Sequence, residues 1–158
     1  MLSDKYQKRI IQSVVVSEEA KSALRLWEQE INAILLMPKL KRPSERDLHE
    51  QFFTDVFVKA LGYQKRSAAS EGWTLASEFV TDVDVTRPDG VLGFFSGDRD
   101  DKNIQVVIEL KGPGVDLDLR QNRKQDRRTP VDQAFSYAHK FDDVQWVIVS
   151  NYNEIRLY

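Results

Sequence analysis

The hydrophobic pattern of this chain changes period near Trp73, and that change limits the folds open to it. Before it, apolar residues recur at helical spacing; after it, short apolar segments stand between polar turns, as strands do. Ser17 is placed to cap a first helix, with Glu18 and Glu19 suiting the positive end of its dipole. Ala20, Leu24, Trp27, Ile31, Ile34 and Leu35 then give one buried stripe. MPKLKRP (37–43) breaks the pattern. Ser44 caps a second helix, with Asp47 standing where a capping box would have Glu or Gln. That helix runs through Phe52, Phe53, Val56, Phe57 and Ala60 to Leu61, and Gly62 ends it. The run Val14-Val15-Val16 is assigned to no element.

TLASEFV (74–80), VLGFF (91–95) and IQVVIEL (104–110) read as strands. Arg87-Pro88-Asp89-Gly90 and Ser96-Gly97-Asp98-Arg99 are the turns between them. A polar stretch covers 112–129, after which Thr129 caps a helix to about residue 140, with Pro130 in its first turn. VQWVIVS (144–150) and EIRLY (154–158) are the last strands. The order is helix, helix, three strands, helix, two strands. It predicts an α/β fold with a central mixed sheet flanked by helices. Residues 1–43 would be an N-terminal helical extension to a domain over 44–158. A strand at the last residue suggests the N-terminal piece of a longer protein.

Composition narrows the chemistry. There are no cysteines, which excludes disulfides and thiolate metal sites, and His49 and His139 are the only two histidines. A metal here would be held mainly by oxygen, which favours magnesium, calcium or manganese. Neither histidine has a ligand set around it in sequence, and both are read as structural or surface residues. The start lacks an apolar signal region and no run approaches the roughly 20 apolar residues of a membrane span, so a cytoplasmic protein without membrane contact is expected. The net charge of −2 gives no general attraction to nucleic acid, so any such footprint must be local.

Asp89, Glu109 and Lys111 carry the clearest chemical signal. Asp89 stands at a Pro-Asp turn that opens one strand. Glu109 and Lys111 are two apart on the next strand, hence on one face, among apolar neighbours. Adjacent carboxylates repel unless a cation lies between them, and a lysine beside them can assist an attacking water or stabilise charge building on a phosphate. An acidic-X-Lys pattern occurs three times, at Glu19-Ala20-Lys21, Asp100-Asp101-Lys102 and Glu109-Leu110-Lys111. The third is on an apolar strand and follows a Pro-Asp. A structural salt bridge at the strand end is the competing reading.

RPDGVLGFF, IQVVIELKG, TPVDQAFSYAHKF and WVIVSNYNEIRLY together resemble the N-terminal nuclease domain of type IIG restriction-modification enzymes. The same run is similar to the nuclease domain of type I restriction motor subunits. The resemblance covers 44–158 and implies a PD-(D/E)XK nuclease with the restriction-endonuclease-like fold, hydrolysing DNA with Mg²⁺ or, in its place, Mn²⁺. It makes Asp89 and Glu109 metal ligands and Lys111 the catalytic lysine. It matches Gln133 and Tyr137 to a Gln-x-x-x-Tyr motif, four apart on one helix face; Tyr137 serves equally as core. It also implies a glutamate from the helix before the sheet. Glu45 and Glu50 are the two candidates. Glu45 lies within the apolar arc and would need a partner there, which favours it, whereas Glu50 lies at the edge.

Arg120, Arg123, Lys124, Arg127 and Arg128 form a basic run that could contact duplex DNA phosphates, or form a solvated loop. The resemblance further implies a methyltransferase and target-recognition region, or a motor domain, in the full-length protein. A non-catalytic DNA-binding module of the same fold, and a nuclease for RNA or branched DNA, are the rival functions.

Overall fold

The computed structural model describes residues 15–66, 72–77, 79–80, 86–97, 102–122 and 127–158. Helix α1 (Glu18–Leu36) starts where Ser17 accepts a hydrogen bond from the Ala20 N–H at 3.1 Å. Ala20, Trp27, Ile31 and Ile34 are buried, but Leu24 stays exposed and Leu35 is half-buried, so the stripe is narrower than the sequence spacing suggests. After a 3₁₀ turn (Lys39–Lys41), helix α2 (Glu45–Phe52) begins at Ser44, whose hydroxyl accepts from the Asp47 N–H at 3.2 Å and donates to its carboxylate at 2.6 Å.

Helix α2 continues into a π-helical segment, Phe53–Ala60. Its wider turns close with bonds such as Leu61 N–H to Val56 C=O at 2.9 Å, five residues back. Phe53, Val56 and Phe57 are buried, while Leu61, which α-helical spacing places on the same stripe, is 54 % exposed. Gly62, at φ +79°, ends the helix in the left-handed region.

The sheet comprises β1 (Trp73–Ser77), β2 (Gly90–Phe95), β3 (Lys102–Leu110), β4 (Trp146–Ser150) and β5 (Ile155–Leu157), in that spatial order. β3 and β4 are parallel and the other neighbours antiparallel, so the sheet is mixed. A parallel neighbour requires a crossover, and α3 (Pro130–Ala138) lies within it, its start fixed by a Thr129–Asp132 capping box. β1 ends at Ser77, short of the expected Val80; Phe79 instead packs its ring against Phe95 and Phe141. Val15 and Val16 are exposed. Val14, Glu78, Asp98 and Arg99 lie outside the described residues.

Apolar cover lies on both faces of β3, which makes it the spine of the domain. Ile108 and Leu110 pack with Trp27, Ile31, Phe52 and Tyr152, joining α1 and α2 to one core. Val107 packs on the other face with Val91 and Phe95, backed by Tyr137 and Phe141. Gly90 permits the closest helix approach: a Cβ there would meet Phe53 Cζ at 2.6 Å. The helix is thereby seated against the strand that Asp89 precedes. Among the described residues, no helix is long and apolar enough to cross a membrane.

Candidate active site

The site grows from the end of β3. Alternation puts Glu109 and Lys111 on one face, and the fold buries both to 6 % exposure or less. Lys111 Nζ donates to Glu109 Oε1 at 2.5 Å. The Lys111 backbone N–H donates to the Ser150 carbonyl at 2.8 Å, extending the ladder to β4 and fixing the lysine's place.

Antiparallel pairing brings in the third group. Gly90 faces Ile108 across the β2–β3 ladder, which places the preceding Asp89 beside Glu109. Asp89 Oδ2 accepts the Leu110 N–H at 2.7 Å, tying the Pro-Asp turn to the Glu-Leu-Lys strand end. Burial pushes the Asp89 pKa above the ordinary carboxylate value. The Leu110 N–H, His49 and Lys111 pull the other way, and the charge of Glu45 adds to the rise.

The first turns of α2 supply another wall. Glu45, Arg46 and His49 line the same cleft of about 430 Å³ as Asp89, Glu109 and Lys111. Glu50 does not line it: Lys65 Nζ donates to Glu50 Oε2 at 2.8 Å, and that bond is the chief reason its pKa is lowered. Glu45 stands at the cleft for a reason different from the one its sequence position suggests. Its side chain is 65 % exposed, so it is helix direction and not burial that brings it there.

His49, which sequence reads as a structural or surface residue, lines the cleft. Its Nδ1 lies 4.0 Å from Asp89 Oδ1 and its Nε2 4.0 Å from Glu45 Oε1, which sets it between the two carboxylates. The spacing from Glu45, one helical turn, was the available signal.

From α3, Gln133 and Tyr137 also line the cleft. Gln133 Nε2 donates to Tyr137 Oη at 3.1 Å, and Gln133 Oε1 accepts from Gln121 Nε2 at 2.8 Å. The two side chains thus bond to each other, and the loop before α3 is tied to the helix through Gln121. Burial raises the Tyr137 pKa, the charges of Glu109 and Asp89 adding to it.

The cations at the cleft are not those of the basic run. Arg46 and Arg87 line it with Lys111, whereas Arg120, Arg127 and Arg128 are exposed and do not. Arg128 stands close enough for its charge to oppose the rise at Tyr137. Arg123 and Lys124 lie outside the described residues. His139 is exposed and away from the cleft.

Among the described residues, no group of three or more His, Cys, Asp or Glu is arranged to hold a metal ion. Of the carboxylates lining the cleft, Asp89 and Glu109 are the two that strand pairing sets side by side. Magnesium suits such a set because it keeps several waters and takes one or two carboxylates. The strained ionisation of Asp89 fits as well: a carboxylate that burial discourages from ionising is relieved by an adjacent divalent cation. Compared with known proteins, the chain matches no family model, no curated protein and no solved structure.

Proposed function

We propose that this chain is a magnesium-dependent DNA endonuclease domain with a restriction-endonuclease-like fold. The supporting observation is the convergence of Asp89, Glu109 and Lys111 on one cleft that Arg46 and Arg87 also line. Carboxylates to hold a divalent cation and guanidinium groups to hold a polyanion are the two requirements of phosphodiester hydrolysis.

Asp89 and Glu109 hold the ion, with Mn²⁺ able to replace Mg²⁺. When bound, the ion supplies Lewis acidity and lowers the pKa of a coordinated water. Lys111, oriented by Glu109, presents its ammonium to the nucleophile or to the charge developing on phosphate. The Leu110 N–H holds Asp89 in place from the strand side. Gln133 and Tyr137 close the cleft from α3 and keep its wall polar. Arg46 and Arg87 contact phosphates of duplex DNA, and the basic run with Arg120, Arg127 and Arg128 extends the contact outside the cleft.

In the full-length protein this domain works beside a methyltransferase and target-recognition region, or beside a motor domain. These would select the site to be cut.

The test is nicking of supercoiled plasmid with Mg²⁺ or Mn²⁺ by wild type and Lys111→Ala at matched concentration. Ion-dependent nicking lost in the variant supports the proposal. Equal nicking by both overturns the active-site assignment. One observation favours a second reading. The Glu109–Lys111 contact satisfies each charge internally, as a purely structural strand-end bridge in a non-catalytic DNA-binding module would. Such a module binds duplex DNA equally well with and without divalent ions and nicks under neither condition.

A further inference from the structure

The 3₁₀ turn Lys39–Lys41, between α1 and α2, buries none of its residues. Leu40 is fully exposed, Leu36 is 88 % exposed, and Met37 also stands in solvent. Single exposed leucines are ordinary on a protein surface, but three large apolar residues within five positions make a projection that water disfavours. Lys39 and Lys41 flank Leu40; both are exposed, and neither has an ion-pair partner among the described residues. From Met37 to Ser44 the chain has three basic residues and no acidic one.

The turn is nevertheless firmly built. Pro38 and Pro43 restrict the backbone on either side. The Lys41 N–H donates to the Pro38 carbonyl at 2.8 Å. Arg42 reaches back to the end of α1, its Nη2 donating to the Leu35 carbonyl at 2.8 Å and its Nε to the Met37 carbonyl at 3.2 Å. Carbonyls at a helix end lack helical partners, so this guanidinium caps the helix and fixes the turn to it. An apolar tip held out by a fixed turn loses little entropy on meeting a partner.

Both ends of the turn lead to the cleft. On one side, a Cβ on Gly114 would stand 3.8 Å from Leu35 Cδ2, and Gly114 is three residues beyond Lys111. On the other, α2 starts at Ser44, and its first residues, Glu45 and Arg46, line the cleft. Leu40 is six positions before Arg46, so their Cα atoms are at most about 22 Å apart. That distance spans about six base pairs of a duplex. An apolar tip between two cations suits a polyanion with an apolar interior, and duplex DNA has phosphates outside and stacked bases within.

We propose that the Lys39–Lys41 turn is a DNA wedge: Lys39 and Lys41 rest on phosphates beside the minor groove, and Leu40 enters between two base pairs next to the stretch held in the cleft. The inference rests on the nuclease reading of that cleft. Apolar wedges of this kind unstack a step and kink the duplex by about 20–90°. The kink would turn the neighbouring backbone toward Asp89, Glu109 and Lys111.

The experiment measures binding of a labelled duplex by anisotropy, with Ca²⁺ in place of Mg²⁺ to hold cleavage off. In the same buffer, the linking number of a plasmid closed by topoisomerase in the presence of the protein reports unwinding. The proteins are wild type, Leu40→Ala, Lys39→Ala/Lys41→Ala and, as a control, Leu26→Ala, which removes an exposed leucine midway along α1. Leu40→Ala weakens binding about five- to tenfold and loses the linking-number change, while its salt dependence stays that of wild type. The double lysine variant flattens the slope of log K against log salt by about 1.8. Leu26→Ala behaves as wild type. Thermal melting identifies any variant that fails to fold.

Folded Leu40→Ala with wild-type affinity and linking-number change overturns the inference, as does an unchanged salt slope in the lysine variant. Equal losses in Leu26→Ala and Leu40→Ala overturn it too. Leu40-dependent binding to phosphatidylserine vesicles, without Leu40-dependence on DNA, would assign the turn to a membrane surface instead. Two outcomes separate the wedge from the nuclease reading. If wild type nicks with Mg²⁺ and Leu40→Ala binds and unwinds DNA as wild type does, the wedge fails alone. If the Leu40 pattern holds and wild type does not nick, the nuclease reading fails alone. Wild type that binds no duplex removes both.

Discussion

Glu19-Ala20-Lys21 on α1 and Glu109-Leu110-Lys111 on β3 carry the same residue pattern and do opposite things. On the helix, successive residues turn about 100°, so positions two apart point away from one another. Lys21 pairs at 2.7 Å with Glu18 instead, and both side chains stay in solvent. The residue between them, Ala20, is the one that packs inward. On the strand, positions two apart return to one face, and that face is buried. Glu109 and Lys111 are forced together at 2.5 Å, beside a second carboxylate from the neighbouring strand. A charged tripeptide becomes a buried ion pair only where period two and burial coincide.

The largest difference should follow from removing each lysine. Lys111→Ala should lower nicking by about 10²-fold or more. It should also destabilise the fold by about 3–5 kcal/mol, because Glu109 loses its ammonium in the interior. Urea unfolding measures the second effect. The double variant Glu109→Leu/Lys111→Met should regain most of that stability without regaining activity, since a buried pair replaced by apolar side chains is often neutral or better. A double variant as unstable as the single would show that the pair itself holds the strand end.

Next comes Asp89, the neighbour that the helical tripeptide lacks. Burial raises its pKa in the fold, so the folded state keeps the proton to higher pH than the unfolded chain does. Its ionisation therefore costs stability at neutral pH, and the cost vanishes as pH falls to the ordinary carboxylate range. Metal-free Asp89→Asn should be more stable than wild type at neutral pH, with the gap closing on acidification. Added Mn²⁺ should reverse the order. Urea midpoints across pH, with and without the ion, test this. A gap independent of pH would place the cause elsewhere.

Glu45 and Glu50 sharpen the comparison within one helix. Glu45→Gln should weaken nicking several-fold through loss of its electrostatic and hydrogen-bonding reach into the cleft. Glu50→Gln should leave nicking unchanged and cost about 1 kcal/mol or less, as partly exposed pairs do. The smallest effect belongs to the helical lysine: Lys21→Ala should shift stability by no more than about 0.5 kcal/mol. A larger loss would mean that the exposed tripeptide has a partner of its own.

Much of the fold was legible because its signals are local. Ser17, Ser44, Thr129 and Gly62 mark helix ends through their own backbone chemistry, and the strands follow from alternation. Asp89, Glu109 and Lys111 were legible for the same reason, since parity along β3 and a Pro-Asp turn suffice to suggest them. Glu45 could not be separated from Glu50 by spacing, because the choice depends on how α2 crosses the sheet and on Lys65, fifteen residues beyond Glu50. The meeting of His49, Arg46 and Arg87 at the cleft was hidden for that reason too: it arises only once helix and strand ends come together. The basic run drew attention by composition, yet its described arginines lie outside the cleft. Leu61 stands at α-helical spacing from Phe57, a period that the helix does not keep.

That broken period has a consequence for inheritance as well as packing. A π-helical stretch is a place where one added residue has been absorbed without ending the helix. The Phe53–Ala60 segment therefore sets the rotational phase between the two halves of a single rod. Removing one residue there would let the rod close into ordinary α-helix with its leading end still in phase, whereas removing one between His49 and Phe53 would turn that end by about 100° relative to Phe57. Glu45, Arg46 and His49 would all survive in the sequence and all swing away from Asp89. In this domain the count of residues between a side chain and its anchor is as much a part of the site as the side chain itself.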